Sequence, residues 1–126
     1  MTPAERNGYH LVLILEAVDD LERRLKDIDI NQFLNDRDEQ ALTAFRLSII
    51  GENANKLSDE LKTRHPALPW PEMYAFRNVV SHEYHRIDPE QAWAAIETLE
   101  PIAEMAREEL AHLEAEQRER DGGRRR

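Results

Sequence analysis

The stretch Thr2–Leu25 (TPAERNGYHLVLILEAVDDLERRL) decides the fold class. Thr2 offers a hydroxyl that can cap free N–H groups, Pro3 stands where the first helical turn needs no donor, and Glu5 follows the cap by three residues. Leu11, Ile14, Val18, Leu21 and Leu25 then recur at spacings of three and four, the single apolar stripe of an amphipathic helix. Outward from this segment the same pattern repeats. Asp29 predicts a short helical turn around Phe33, and 35–39 reads as a connection. Leu42, Phe45, Ile49, Leu57 and Leu61 outline a second long helix, inside which Gly51 costs roughly 1 kcal/mol relative to alanine. Prolines at 66, 69 and 71 make 65–71 a loop, with Pro71 placed to open a third helix through Met73, Phe76 and Val80. Asp88, Pro89 and Gln91 repeat the start signature. Trp93, Ile96, Leu99, Ala103, Ala106, Leu110 and Leu113 then carry a long last helix, kinked near Glu97 by Pro101. Only four glycines and few β-branched residues leave strands little to build on. The expectation is an all-α, antiparallel bundle of four to five helices.

The size agrees with one such bundle. A chain of 126 residues holds one domain, and Leu, Ile, Val and Phe account for 29 of them, enough for a modest core beneath a polar surface. The expected division is a helical bundle over 1–117 and a disordered, Arg-rich tail over 118–126. Cysteine is absent, which excludes a disulfide scaffold, a thiolate metal site and a cysteine nucleophile, and fits a reducing compartment. The longest apolar run, Leu11–Leu15, falls far short of the roughly 20 residues a membrane span needs, and the N-terminus does not read as a signal peptide. A soluble, cytoplasmic protein is expected.

Seventeen Lys and Arg against 26 Asp and Glu give a net charge of −9, which argues against non-specific binding to nucleic acid. Basic residues exceed acids in two places. One is 62–86, where Lys62, Arg64, Arg77 and Arg86 face Glu72 and Glu83 and where His65, His82 and His85 also lie. The other is the tail from Arg118. The first contains Arg77–Tyr84, RNVVSHEY. An arginine supplies a fixed charge and forked donors for a phosphate, and a histidine titrates near neutral pH, so the two hold what phosphodiester cleavage without a metal requires. An arginine five places ahead of a histidine arises by chance about 0.6 times in such a composition. Arg107 and His112 repeat the spacing within an acidic helix.

The surroundings of Arg77 set it apart from that repeat. RNVVSHEY resembles the Arg-x4-His-x-Tyr motif of HEPN-domain ribonuclease toxins of the HepT type. Arg77, His82 and Tyr84 match it, and Asn78 matches the polar residue that follows the arginine in that family. FRLSIIGENANKL at 45–57 is similar to the family's second-helix signature, Leu68–Trp70 to its proline–tryptophan loop and Asp88–Trp93 to the start of its last helix. From Glu114 onward the likeness ends.

The resemblance implies a homodimer acting as a metal-independent endoribonuclease without cofactor, the toxin of a pair whose antitoxin is an MNT-type nucleotidyltransferase. It implies attack of the RNA 2′-hydroxyl on the adjacent phosphate, leaving a cyclic phosphate and a free 5′-hydroxyl. His82 would move the proton, Arg77 stabilise charge on the phosphorane, and Asn78 orient phosphate or histidine; Tyr84 would be the residue to which the antitoxin adds AMP. A different class, a non-catalytic helical module that only binds the nucleotidyltransferase, uses the same residues.

Several neighbours keep two readings. His85 and Arg86 either hold RNA phosphates or form a solvated turn. Trp70 and Trp93 are core or interface anchors, and Asn53 and Asn55 belong to a subunit interface or a solvated face. A metal set from His82, Glu83 and His85 lacks the H-E-x-x-H spacing and a third ligand. Geometry adds a constraint: at about 100° per residue, Arg77 and His82 point about 140° apart on a regular helix. Either the helix ends before His82, or two copies complete one cleft across a two-fold axis, which is the arrangement the resemblance favours.

Overall fold

Thr2 caps the first helix as its position predicts: in the computed structural model its Oγ1 accepts a hydrogen bond from Glu5 N at 3.1 Å, and α1 runs Pro3–Leu25. The structure describes residues 1–83 and 88–124, with the backbone alone at 78–83 and 124. Asp29 and Gln32 cap each other reciprocally (2.8 and 2.9 Å) and start α2, Ile30–Leu34, which buries Phe33. The stretch 35–39 is not a plain connection. Asp36 Oδ1 accepts from Glu39 N at 3.1 Å and opens α3, Arg37–Asn55, where Asp38 and Glu39 place negative charge at the helix's positive end.

The second long helix expected from the leucine spacing is two helices. Lys56–Ser58 interrupt it: Ser58 Oγ caps α4, Asp59–Arg64, through Leu61 N at 3.2 Å, while Ser58 N donates to Asn7 Oδ1 of α1 at 3.0 Å. Leu57 and Leu61 stay in the core on either side of the break. The buried face of α3 also differs from the expected stripe. It consists of Thr43, Ala44, Leu47, Ile50, Gly51, Asn53 and Ala54, whereas Phe45 is 56% exposed.

Pro69 and Pro71 frame the start of α5, Trp70–Glu83, whose first turn closes through Met73 N to Pro69 O at 2.9 Å. Asp88 caps α6, Pro89–Ile96, through Glu90 N at 3.0 Å. The expected kink near Glu97 is a full break. Glu97 N and Thr98 N turn back to Trp93 O and Ala95 O, and α7, Leu99–Arg124, begins anew with Pro101 in its first turn, where no donor is missed. Helix α7 continues through Arg124, across the region read as a tail. Glu, Gln and Arg favour helix, and an established helix extends at little cost.

The result is the all-α bundle expected from the sequence, with seven helices and no strand among the described residues. His10–Asn53 and Arg24–Glu39 contacts show that α1 and α3 run antiparallel. Helix α3 packs between α1 and α5, and α7 closes the other side of α1. Leu11, Ile14, Val18, Leu21, Phe33, Ile50, Leu61, Met73, Leu99 and Ile102 form the centre of the core. Each such side chain contributes about 1.5–3 kcal/mol on burial. No helix among the described residues is long and apolar enough to cross a membrane.

Candidate active site

Helix α5 carries Arg77, and its position is set by a glycine. A Cβ on Gly51 would run into the Met73 carbonyl and lie 3.1 Å from Arg77 N and 3.2 Å from Phe76 Cβ. Only a residue without a side chain lets α5 approach α3 this closely. In the sequence Gly51 reads as a modest helix penalty; its role is to admit the backbone that presents the motif.

The next residue, Glu52, then reaches across. Arg77 Nε lies 2.9 Å from Glu52 Oε2, Arg77 Nη1 donates to Tyr74 Oη at 3.4 Å, and its guanidinium carbon sits 5.7 Å from the centre of the Tyr74 ring. Glu52 also pairs with Lys56 Nζ at 3.2 Å. With its side chain 44% exposed, Arg77 offers the solvent a charge that Glu52 and Tyr74, among other contacts, orient. Such surface pairs are worth about 0–1 kcal/mol, so a phosphate can take the guanidinium over. Tyr74, one helical turn before Arg77, could have been found from the i−3 spacing. Glu52 could not, since the Gly51 crossing brings it there.

The α5 backbone continues through positions 78 and 82 to Glu83, so the helix does not end before His82. Positions 77 and 82 therefore stand about 140° apart around a single helix. The side chains of Asn78 and His82 lie outside the described residues, as do Tyr84, His85 and Arg86 entirely.

The chance repeat of the spacing is placed differently. Arg107 Nη1 lies 3.5 Å from Glu100 Oε1, and His112 Nε2 lies 3.1 Å from Glu116 Oε1, both on the exposed face of α7. Trp70 and Trp93 are half-buried against the core. Trp70 Nε1 donates to His65 O at 2.9 Å, and the Trp93 ring centre is 5.1 Å from that of Phe33. Asn53 is buried within the chain, with Oδ1 2.8 Å from His10 Nδ1 and Nδ2 donating to Ile49 O at 2.8 Å; Asn55 is exposed. Among the described residues no three His, Asp or Glu side chains group as metal ligands would.

A second charged cluster gave no sign of itself in the sequence. Glu109 of α7, its side chain 9% exposed, accepts from Arg64 Nη2 and Nε at 2.6 and 3.2 Å and lies 2.7 Å from His65 Nε2. Burial pushes its carboxyl up. The hydrogen bonds from Arg64 and His65, with their charges, outweigh that and hold it below the usual carboxylate range.

Comparison with known proteins bears on this arrangement. The family model described as Ribonuclease HepT-like matches residues 14–110, a span that includes α3, α5 and the whole motif. A candidate RNase of Methanocaldococcus jannaschii, MJ1380, is 34% identical over 83 residues, covering 66% of this chain and 76% of its own. A protein of Thermococcus cleftensis named "Probable ribonuclease HepT" is 31% identical over 83 residues, with the same coverage. A candidate RNase of Caldanaerobacter subterraneus, TTE0752, is 29% identical over 107 residues, 85% of this chain and 94% of its own. No solved structure gives a significant match.

Proposed function

This chain belongs to the HepT-like ribonuclease family, and on that premise we propose that it is a metal-independent endoribonuclease, the cytoplasmic toxin of a toxin–antitoxin pair. The observation that carries the reading is Arg77, exposed and oriented on the α3–α5 seam of a helix that runs on through position 82. His82 removes the proton from the 2′-hydroxyl of RNA. The freed oxygen bonds to the adjacent phosphorus, the bond to the 5′ oxygen breaks, and that oxygen leaves as a 5′-hydroxyl with the proton that His82 hands on. Arg77 stabilises the charge on the phosphorane, Asn78 orients phosphate or histidine, and His85 and Arg86 hold flanking phosphates.

Incubation of the purified protein with RNA in EDTA tests this. Cleavage should persist and leave cyclic phosphate ends, and His82→Ala should lower the rate about 10²-fold or more. Cleavage that disappears in EDTA and returns with a divalent ion, or equal rates for the variant and the parent, overturns the mechanism. A protein that never cuts RNA yet binds its nucleotidyltransferase is the outcome expected of a non-catalytic module.

A continuous α5 favours the second of the two arrangements, in which two copies complete the site. The face around Arg77 supports that reading. Phe45 and Glu52 are seven residues apart on α3 and so within about 20° of each other around its axis. Exposed Tyr74 lies beside Arg77, and on the neighbouring α1 Tyr9 and Val12 are exposed as well. Next to Phe45, Arg46 Nη1 is buried with no hydrogen-bond partner among the described residues, a donor that an incoming chain could satisfy.

Control is assigned to Tyr84. An AMP added there by an MNT-type nucleotidyltransferase antitoxin brings a phosphate to the motif and blocks access by RNA. Co-expression followed by intact-mass measurement checks this: Tyr84→Phe should gain no AMP and stay toxic. A Tyr84→Phe protein modified and silenced as fully as the parent places the switch elsewhere.

A further inference from the structure

Between α3, α5 and α6 lies a cleft of about 260 Å³ that the catalytic scheme does not use. Its walls are Ala44 and Leu47 of α3, Ala75 and Phe76 of α5, and Ala92 and Ala95 of α6. Four of these six are alanines. Close-packed interiors fill such a space with larger side chains; here the short methyls of the described residues leave a narrow apolar slot with the Phe76 ring in its wall. The mouth is different. Glu72 stands at one side, and Asp88 and Gln91 stand at the start of α6. Asp88 Oδ1 is engaged in capping Glu90 N, which leaves its second oxygen for another donor. The side chains of Glu72 and Gln91 make no hydrogen bond among the described residues.

These properties restrict the occupant. The cleft is smaller than most pockets for drug-sized ligands, which start at roughly 300 Å³. Two carboxylates at the mouth repel a phosphate and accept from N–H donors. A flat, mostly apolar ring system carrying an amine meets each condition, and none of the described residues lining the slot is basic. Helix α5 also links the slot to the motif. Ala75 and position 82 are seven residues apart, within about 20° around the axis and about 10 Å along it. A single strand that presents its scissile phosphate at the motif can therefore insert a neighbouring base here.

We propose that this cleft is a base subsite that takes an unpaired adenine or cytosine of the RNA, whose amine it reads, and disfavours uracil. Phe76 lies against the ring while Glu72 and the free oxygen of Asp88 accept from its amine. Uracil has a carbonyl oxygen where adenine and cytosine carry the amine, and it would set oxygen against carboxylate. The proposal deepens the ribonuclease reading and rests on it for the identity of the ligand.

The alanine walls supply the probe. In cleavage-deficient His82→Ala protein carrying ¹³C-labelled alanine methyls, oligoadenylate or oligocytidylate should shift the signals of Ala75, Ala92 and Ala95, and oligouridylate should not. In the active protein, substrates differing only beside the cut should be cleaved about tenfold faster with adenine or cytosine than with uracil. Filling the slot with Ala95→Phe, or neutralising its mouth with Glu72→Gln should the first variant fold poorly, should bring that ratio close to one. Methyls that respond to no oligonucleotide, or respond equally to oligouridylate, in a protein that does cleave RNA overturn the subsite and leave the ribonuclease intact. Methyls that respond selectively in a protein that never cleaves RNA retain the subsite and overturn the ribonuclease reading.

Discussion

Replacing Glu109 by alanine should cost about 2–3 kcal/mol of stability and lower the midpoint of thermal unfolding by about 10 °C. Removing one member of a fully buried ion pair can cost about 3–5 kcal/mol, because the partner's charge is stranded. Here the Arg64 side chain is 44% exposed and also lies 3.6 Å from Glu60, so part of that penalty is relieved by solvent and by a second carboxylate. What is lost outright is three charge-assisted contacts that tie α4 and the loop after it to α7. The same loop accepts the Trp70 indole N–H through His65 O, so the start of α5 loosens as well.

The pH dependence of that loss has a definite sign. A carboxylate held below its ordinary value of 4.5 contributes stability that is complete above that value and is lost as pH falls through the lower, folded one. Parent and Glu109→Ala stability curves should therefore lie furthest apart at neutral pH and converge below about pH 4.5. A separation that stays constant into acid would show that the carboxylate contributes through packing rather than charge. Chemical denaturation from acid to neutral pH decides between the two.

What was legible in the sequence was local. Thr2, Asp29 and Asp88 announce their helices because a capping side chain and the N–H it accepts from lie within three residues, and the stripe of α1 is buried as the spacing predicts. The face of α3 was not legible for the opposite reason. This helix is approached from two sides, so small residues (Ala44, Gly51, Ala54) mark its contacts, and hydrophobicity alone points to Phe45 on the outside. Leu57 and Leu61 keep a helical phase across the break at Ser58, which hides the interruption that Asn7 stabilises from 51 residues away. Glu109 stands in an acidic run that reads as a solvated face, and its partners are 44 and 45 residues distant. The candidate site divides likewise: Arg77 and Tyr74 belong to one turn of one helix, whereas Glu52 arrives through tertiary packing.

Phe45→Glu should leave the fold intact and abolish ribonuclease activity. At 56% exposure Phe45 supports little of the monomer's core, so helical content should hold and stability should change by less than about 1 kcal/mol. If the proposed dimer buries this ring near its two-fold axis, each copy meets its own equivalent surface there. A carboxylate there appears twice, facing the partner's, and removes an aromatic anchor, so sedimentation should show a monomer at concentrations where the parent is dimeric. If the cleft is shared, activity should fall with the dimer, about 10²-fold or more. Mixing Arg77→Ala with His82→Ala chains separates a shared cleft from a merely dimeric protein. When Arg77 of one copy works with His82 of the other, a heterodimer keeps one complete site out of two. Equal mixing yields heterodimers as half of all dimers, so about a quarter of the parent activity should return from two inactive proteins. If each site is built within one chain, no mixture regains activity, and a Phe45→Glu monomer that still cleaves RNA would make the second copy unnecessary.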